Sequence, residues 1–447
     1  MKSDQLLKLL KPVYGRPDAP RAWFNELSRV LTKEIGFTQS IVDPASFHLR
    51  DSTGKLSGLL IVHVDDVMVA VESSDFAQQT VERLNARFPF GSWQKICEEK
   101  AGVSYCGKEI KLHHPDKYHD QHRITLGQDG FIDGRLEQIK LSRERAKQGE
   151  EHVTDVEKTD FRSVVGSVQW LVTQSRPDLA FQVNQLQKRI TDLRVRDLLR
   201  ANSVVKDAYK HRQVLEFHNL GDDVEILAFH DASLFNSVGV EIEDREEADV
   251  LLQGNEKRLV YSQKGAMIGL IKRGSTATVG ERVRMNVVDW RSSTNKRVVE
   301  SSLSAETHAA IMAHGLARYC QAVLLEMKFD QDVITAFEDE DFQEHTPMNM
   351  VTDCKSIYDH INKDGQHVSS KGDIISVVLL RKMLSTRNHP GKARLFWVPT
   401  RHQLADGLTK GGKSHEVRNQ LGWALLHEKA APRAKQSVKA KKRVDSV

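Results

Sequence analysis

The chain lacks any run approaching the ~18–20 apolar residues that a membrane-spanning helix requires, so no membrane association is expected. Its opening residues, MKSDQLLKLLKPVYG, hold too short an apolar stretch and no small-residue cleavage site for a secretory leader. Cysteine is sparse: Cys97, Cys106, Cys320 and Cys354, with no CxxC pair. That argues against a zinc ribbon or a disulfide framework and for free thiols in a reducing compartment. A strong charge of one sign is also missing. The formal net charge of +4 is a slight basic excess, which points only weakly to a polyanionic partner. No internal repeat is visible. These absences lead to an intracellular protein, cytoplasmic or nuclear.

At 447 residues, with 39% hydrophobic and 28% charged, the chain reads as globular and too long for one core, so two or three domains are expected. Trp23, Leu27, Val30 and Leu31 recur at helical spacing within residues 21–35, and Gly36 ends that helix. Leu59 to Val64 and Val67 to Val71 are β-rich runs meeting at Asp65-Asp66, a predicted hairpin. Residues 75–90 read as a helix, and a second hairpin is expected over Val103 to Leu126. Residues 140–160 contain almost no large apolar side chain and are a linker candidate. A helical block is expected from about Phe161 to His218, broken at Arg176-Pro177. Beyond it the order is β-β-β-α-β-α-β with a final helix, a mixed α/β pattern. VEILAFHDAS is the first of these strands, MNMVT runs into Asp353, and ARLFWVP is the last. Residues 304–328 give the clearest helix, with Ala305, Ala309, Met312, Leu316, Cys320 and Val323 on one stripe. The tail EKAAPRAKQSVKAKKRVDSV is predicted to be disordered, as a nucleic-acid tether, an import signal or simply a solvated end.

Chemistry is carried by acids. Asp231 lies at a strand end, Glu306 near the start of a helix, Asp353 directly after a strand and Asp406 beyond the last strand. Several carboxylates held by rigid elements suit two Mg²⁺ ions about 3.5–4 Å apart acting on a phosphodiester. Each acid also has an ordinary reading. Asp353 is well placed to cap a helix, and Glu306 to favour a helix dipole. The pair Asp65-Asp66 is either a solvated hairpin tip or a metal-binding one. GLTKGGKS, residues 407–414, matches a phosphate-loop pattern but follows no strand, so coincidence is the better reading. His113, His114, His119 and His122 fall at the tip of the second hairpin and read as an exposed turn.

Together the motifs resemble the polymerase–ribonuclease H segment of copia-type LTR retrotransposon Pol polyproteins. The resemblance is carried by KPVYGRPDAPRAWF (11–24), LLIVHVDDVMVA (59–70), YCGKEI (105–110), VVGSVQWLVTQSRPDLAFQVNQL (164–186), STNKRVVESSLSAETHAA (293–310) and FWVPTRHQLADGLTKG (396–411). It implies a partial reverse-transcriptase palm and thumb over 1–138, a linker and helical connection over 139–222, a ribonuclease H-like mixed sheet with flanking helices over 223–427, and a basic tail over 428–447. Asp65 and Asp66 take the paired palm carboxylate positions. Asp231, Glu306, Asp353 and Asp406 take the four ribonuclease H metal positions, with Mg²⁺ or Mn²⁺ as cofactor. The implied substrate is an RNA–DNA hybrid or other nucleic acid, and further retrotransposon proteins are implied partners. The family's first palm aspartate precedes the segment matched at 11–24, so no DNA synthesis by this chain alone is expected. His63 replaces the family's tyrosine beside the aspartates. The segment between Asp231 and Glu306 is longer than the family's, and SKGDIIS (370–376) lacks a histidine found there. The resemblance is therefore compatible with a nuclease or with a non-catalytic, domesticated nucleic-acid binder.

Overall fold

The structure is a computed structural model. It describes residues 13, 15–88, 90–114, 122–234, 262–277, 280–296, 299, 301–330, 333, 342–363, 371–384 and 393–426. The basic tail, His119 and most of the long segment before Glu306 lie outside the described residues. Mixed α/β architecture is observed, as expected, in three sheets with helices between them.

The front of the chain begins with helix α1 (Ala19–Val30), opened by Pro20 in its first turn and turning Leu27 and Val30 inward. Its continuation stops at Gly36, whose φ of 105° a side chain would resist. A four-stranded sheet follows in the order β1 (Thr38–Gln39), β2 (Ser46–Arg50), β3 (Leu56–His63) and β4 (Asp66–Val71). Helix α2 (Asp75–Arg87) covers it, with Ser74 accepting a hydrogen bond from the Ala77 N–H as N-cap. Leu27, Leu31, Phe47, Leu60 and Leu84 form the core between them.

The expected second hairpin is part of a larger sheet: β5 (Val103–Tyr105), β6 (Lys108–His113), β7 (Arg123–Gly127) and β8 (Leu215–His218). Strand β8 corrects the helical reading of 161–218 at its end. LEFH is too short to show a period, and its pairing with β7 decides its conformation. Helix α3 (Asp129–Arg135) packs beneath this sheet, and the short α4 (Arg143–Ala146) follows. The apolar-poor stretch 140–160 is organised by polar bonds. Thr154 and Glu157 form a capping box for α5 (Asp155–Gln174), and Arg145 grips Glu157 through two 2.8 Å hydrogen bonds.

The break at Arg176-Pro177 is where the sequence placed it. Arg176 and Asp178 are fully buried and joined by two 2.8 Å hydrogen bonds. Arg418 of the distant α11 (Ser414–Gln420) also reaches Asp178, at 3.0 Å. Helices α6 (Ala180–Lys188) and α7 (Val195–Lys210) complete the block.

The third sheet has six strands in the order β13-β12-β9-β10-β11-β14. Strand β9 (Val224–Ser233) is central. It pairs antiparallel with β10 (Gln263–Lys272), which pairs with β11 (Arg282–Thr294). On its other side β9 pairs parallel with β12 (Met348–Thr352), and β12 with β13 (Arg394–Trp397). A strand that sequence reasoning missed, β14 (Trp423–Leu425), closes the far edge. One apolar cluster joins α5–α7 to this sheet through Phe161, Leu198, Leu227 and Phe229. A second packs α8 (Ser302–Phe329) against Ile226, Ala228, Ile268 and Met350. The stripe that α8 buries most deeply differs from expectation. Ala309, Ala310, Ala313 and Ala317 are the most deeply buried, and Met312, Leu316 and Cys320 are only partly covered. Small side chains let the helix axis come close to the sheet, so the larger ones fall to its flanks. Two more helices, α9 (Lys355–Asn362) and α10 (Lys371–Met383), complete the layer around α8. Among the described residues, no helix is long and apolar enough to cross a membrane.

Candidate metal centre

Three of the four predicted acids converge. Asp231 is in the last turn of pleat of β9, Glu306 is the fifth residue of α8, and Asp353 follows β12 immediately. One carboxylate oxygen from each lies within 4.8 Å of the others. The geometry follows from the topology. Strands β9 and β12 are parallel neighbours, so their C-terminal ends lie side by side, and the start of α8 crosses over them. Asp353 does not cap α9. The N-cap is Cys354, with no side-chain hydrogen bond. The tryptophan indole of Trp397 instead donates to the Asp353 carbonyl at 3.1 Å and fixes that backbone.

Burial and mutual repulsion of the acids make this a place where a cation would be stabilising. Asp231 and Glu306 are buried. Burial, reinforced by the other carboxylates, pushes the Asp231 carboxyl up to about 7 and Glu306 well above its usual range. The Glu306 Oε2 has no hydrogen-bond donor, and neither ring nitrogen of the fully buried His230 has a hydrogen-bond partner, although His230 Nδ1 is 3.9 Å from that oxygen. Burial drives the His230 imidazole down to about 3, so it stays neutral beside the acids. An all-oxygen donor set with an orphaned buried carboxylate oxygen fits a hard divalent ion such as Mg²⁺ or Mn²⁺.

Asp406 stands one step away. It lies on the tight turn Asp406–Leu408, almost fully buried, and is paired with Lys410 at Oδ1 and with Lys413 at Oδ2, the latter at 2.5 Å. Lys410 Nζ also lies 3.7 Å from Asp231 Oδ2, and the Thr409 hydroxyl donates to that same oxygen. The turn presses on the sheet beside Asp231. Gly265 is the β10 partner of Asp231, and a Cβ there would meet the Ala405 carbonyl at 2.9 Å and Thr409 Cγ2 at 2.8 Å. Gln403 completes the turn by donating to the His230 carbonyl at 2.9 Å. Lys410, Lys413, Thr409, Gln403 and Gly265 were not among the expected site residues. The i,i+4 spacing of Asp406 and Lys410 was the available signal. The phosphate-loop pattern over 407–414 is thereby explained otherwise, since both of its lysines are engaged by carboxylates.

Asp65 and Asp66 are not part of this cluster. Both are exposed at the β3–β4 turn, where Val64 adopts a φ of 58°. The Trp23 indole donates to the Val64 carbonyl at 2.8 Å, and the Cys106 N–H to Asp66 at 3.3 Å. Among the described residues, no third carboxylate joins them in a metal-binding group. A cleft of about 630 Å³ opens alongside, lined by His63, Cys106, Glu109, Phe131, Arg135 and Trp170. His113 bonds Thr125 at 2.9 Å at the end of β6, and no histidine metal group forms among the described residues.

No family model matches the chain. Known proteins do. A Retrovirus-related Pol polyprotein from transposon RE2 of Arabidopsis thaliana is 27% identical over 190 residues, and that from transposon RE1 is 26% identical over 190. Each match spans 42% of this chain but only 12% of the plant polyprotein. A transposon Ty5-1 protein of Saccharomyces cerevisiae is 23% identical over 242 residues, spanning 52% of this chain and 73% of the yeast protein. The motif resemblance thus stands: the chain is a homologue of Pol polyproteins from copia-type retrotransposons.

Proposed function

We propose that this chain is a Pol fragment whose back half is a ribonuclease H-like, divalent-metal-dependent nuclease acting on the RNA strand of an RNA–DNA hybrid. The observation that carries this reading is the convergence of Asp231, Glu306 and Asp353 from β9, α8 and β12. When bound, Mg²⁺ or Mn²⁺ supplies an activated water and steadies the leaving oxygen. Asp231, Glu306 and Asp353 would hold it. The water oxygen bonds to phosphorus, the bond from phosphorus to the 3′ oxygen breaks, and the proton ends on that oxygen. A 5′ phosphate and a 3′ hydroxyl result. The division into palm and thumb, connection, nuclease and tail belongs to the same proposal. No polymerase step is assigned to Asp65 and Asp66, which no third carboxylate joins in a metal-binding group among the described residues. The unmodified chain is expected to cleave the RNA of a hybrid with Mg²⁺ or Mn²⁺, and Asp353→Asn to abolish cleavage. Absence of cleavage by the unmodified chain with either ion would falsify the enzymatic reading.

A second reading is favoured by one observation: Asp406 is engaged by two ammonium groups instead of facing the triad. On that reading the chain binds nucleic acid without cutting it. Salt-sensitive hybrid binding with no hydrolysis would select it.

A further inference from the structure

The fourth acid is held by lysines. Lys410 spans Asp406 and Asp231, whose oxygens come from segments far apart in the chain. A cation shared between two buried carboxylates is the role that a second metal ion would play at that edge of the cluster. We infer that Lys410 is the resident cation there, so that the site takes one divalent ion, on Asp231, Glu306 and Asp353, and not two. The inference rests on the nuclease reading above and specifies its metal content.

Charge and geometry support it. Four carboxylates, two lysine ammonium groups and one divalent ion sum to zero formal charge. A second divalent ion leaves an excess of two positive charges around the carboxylates, unfavourable where burial of Asp231, Glu306 and Asp406 reduces solvent screening. Asp231 Oδ2 already accepts from Thr409 and faces Lys410, so the other Asp231 oxygen remains for an ion. Lys413 pairs with the remaining Asp406 oxygen at 2.5 Å, although that oxygen receives no aligned hydrogen bond, so a metal ion at Asp406 would have to displace an ammonium group. Glu306 Oε2, buried and without a donor, lies in the acidic triad itself, where a divalent ion would supply the missing partner. Lys410 Nζ lies 3.7 Å from Asp231 Oδ2, so its charge neutralises the cluster from beside the triad.

The test is the Mn²⁺ content of the full chain without nucleic acid, counted by electron paramagnetic resonance or titration calorimetry. Tight ions are those lost in Asp353→Asn. The expected count is one in the unmodified chain, one in Lys410→Arg, which keeps the charge, and two in Lys410→Ala combined with Lys413→Ala. Two tight ions in the unmodified chain overturn the inference and leave the nuclease reading intact. A count of one in the double variant, with its fold verified by circular dichroism, also overturns it. No tight ion in any of these proteins overturns the nuclease reading and this inference with it.

Discussion

At the scale of single residues, the site depends on a side chain that is missing. Gly265 faces Asp231 across the β9–β10 ladder, and the turn from Ala405 to Thr409 occupies the space a methyl group would need. Gly265→Ala must therefore lift that turn or bend the strand. The expected loss is about 1–3 kcal/mol of stability, typical of overpacking. Urea unfolding measures it, and an unchanged midpoint would show that the turn yields freely. The contrast with the acids is instructive. Asp231 and Asp353 were legible because a strand ending in an acid is a local pattern. Gly265 was illegible because its requirement comes from a turn distant in sequence. Lys410 was legible as a charge but not as a partner of Asp231, for the same reason.

At the scale of elements, many strands and helices could be read from period and punctuation, while β2 and α3 were not, and two other misses share a cause. Strands β8 and β14 are each four residues or fewer, and only pairing with β7 and β11 defines them. The long α8 was found, and its buried face was read correctly at Ala305 and Ala309 but not further along, because alanines carry little hydrophobic signal while permitting close approach. That packing has a pH consequence. His314 of α8 is driven down to about 4, chiefly by burial and then by Arg318, against a hydrogen bond with the Met383 backbone of α10 that raises it. The unfolded chain takes up a proton at this residue near pH 6.5, and the folded chain does so only near 4. This contribution to stability is present above about pH 6.5 and is lost as pH falls toward 4. At pH 5 the loss is ~2 kcal/mol relative to pH 7.5. Asp231 and Glu306 act with the opposite sign, so the quantity to measure is the difference between the parent and His314→Gln. That difference is expected to shrink as pH falls from 7.5 to 5. A difference independent of pH would mean that His314 takes up its proton equally in the folded and unfolded chain.

At the scale of the whole molecule, the front sheet and the six-stranded sheet are tied together, among the described residues, at a place far from the acids. The C-terminal end of α8 carries Glu326, which is almost fully buried. It accepts from the Ser40 hydroxyl at 2.5 Å and from the Ile41 N–H at 2.7 Å. Arg50 of β2 donates to the carbonyls of Glu326 and Met327, at 2.8 and 3.0 Å, and pairs with Asp330 at 3.4 Å. The same helix therefore presents Glu306 to the acidic cluster at one end and grips the front sheet at the other. A rigid α-helix of 28 residues links the two places mechanically. Glu326→Ala removes two charge-assisted acceptors and leaves the buried Ser40 hydroxyl and the Ile41 N–H without them. The expected cost is about 3 kcal/mol. The loss should be local at first, because Arg50 keeps its backbone bonds and the two apolar clusters on either side of the six-stranded sheet are untouched. Hydrogen exchange separates the possibilities. Amides of β1 and β2 are expected to lose protection in Glu326→Ala, while those of β9 and β10 keep it and hybrid cleavage persists. Uniform loss across both sheets would instead mean that they unfold as one cooperative unit, with Glu326 supporting the whole.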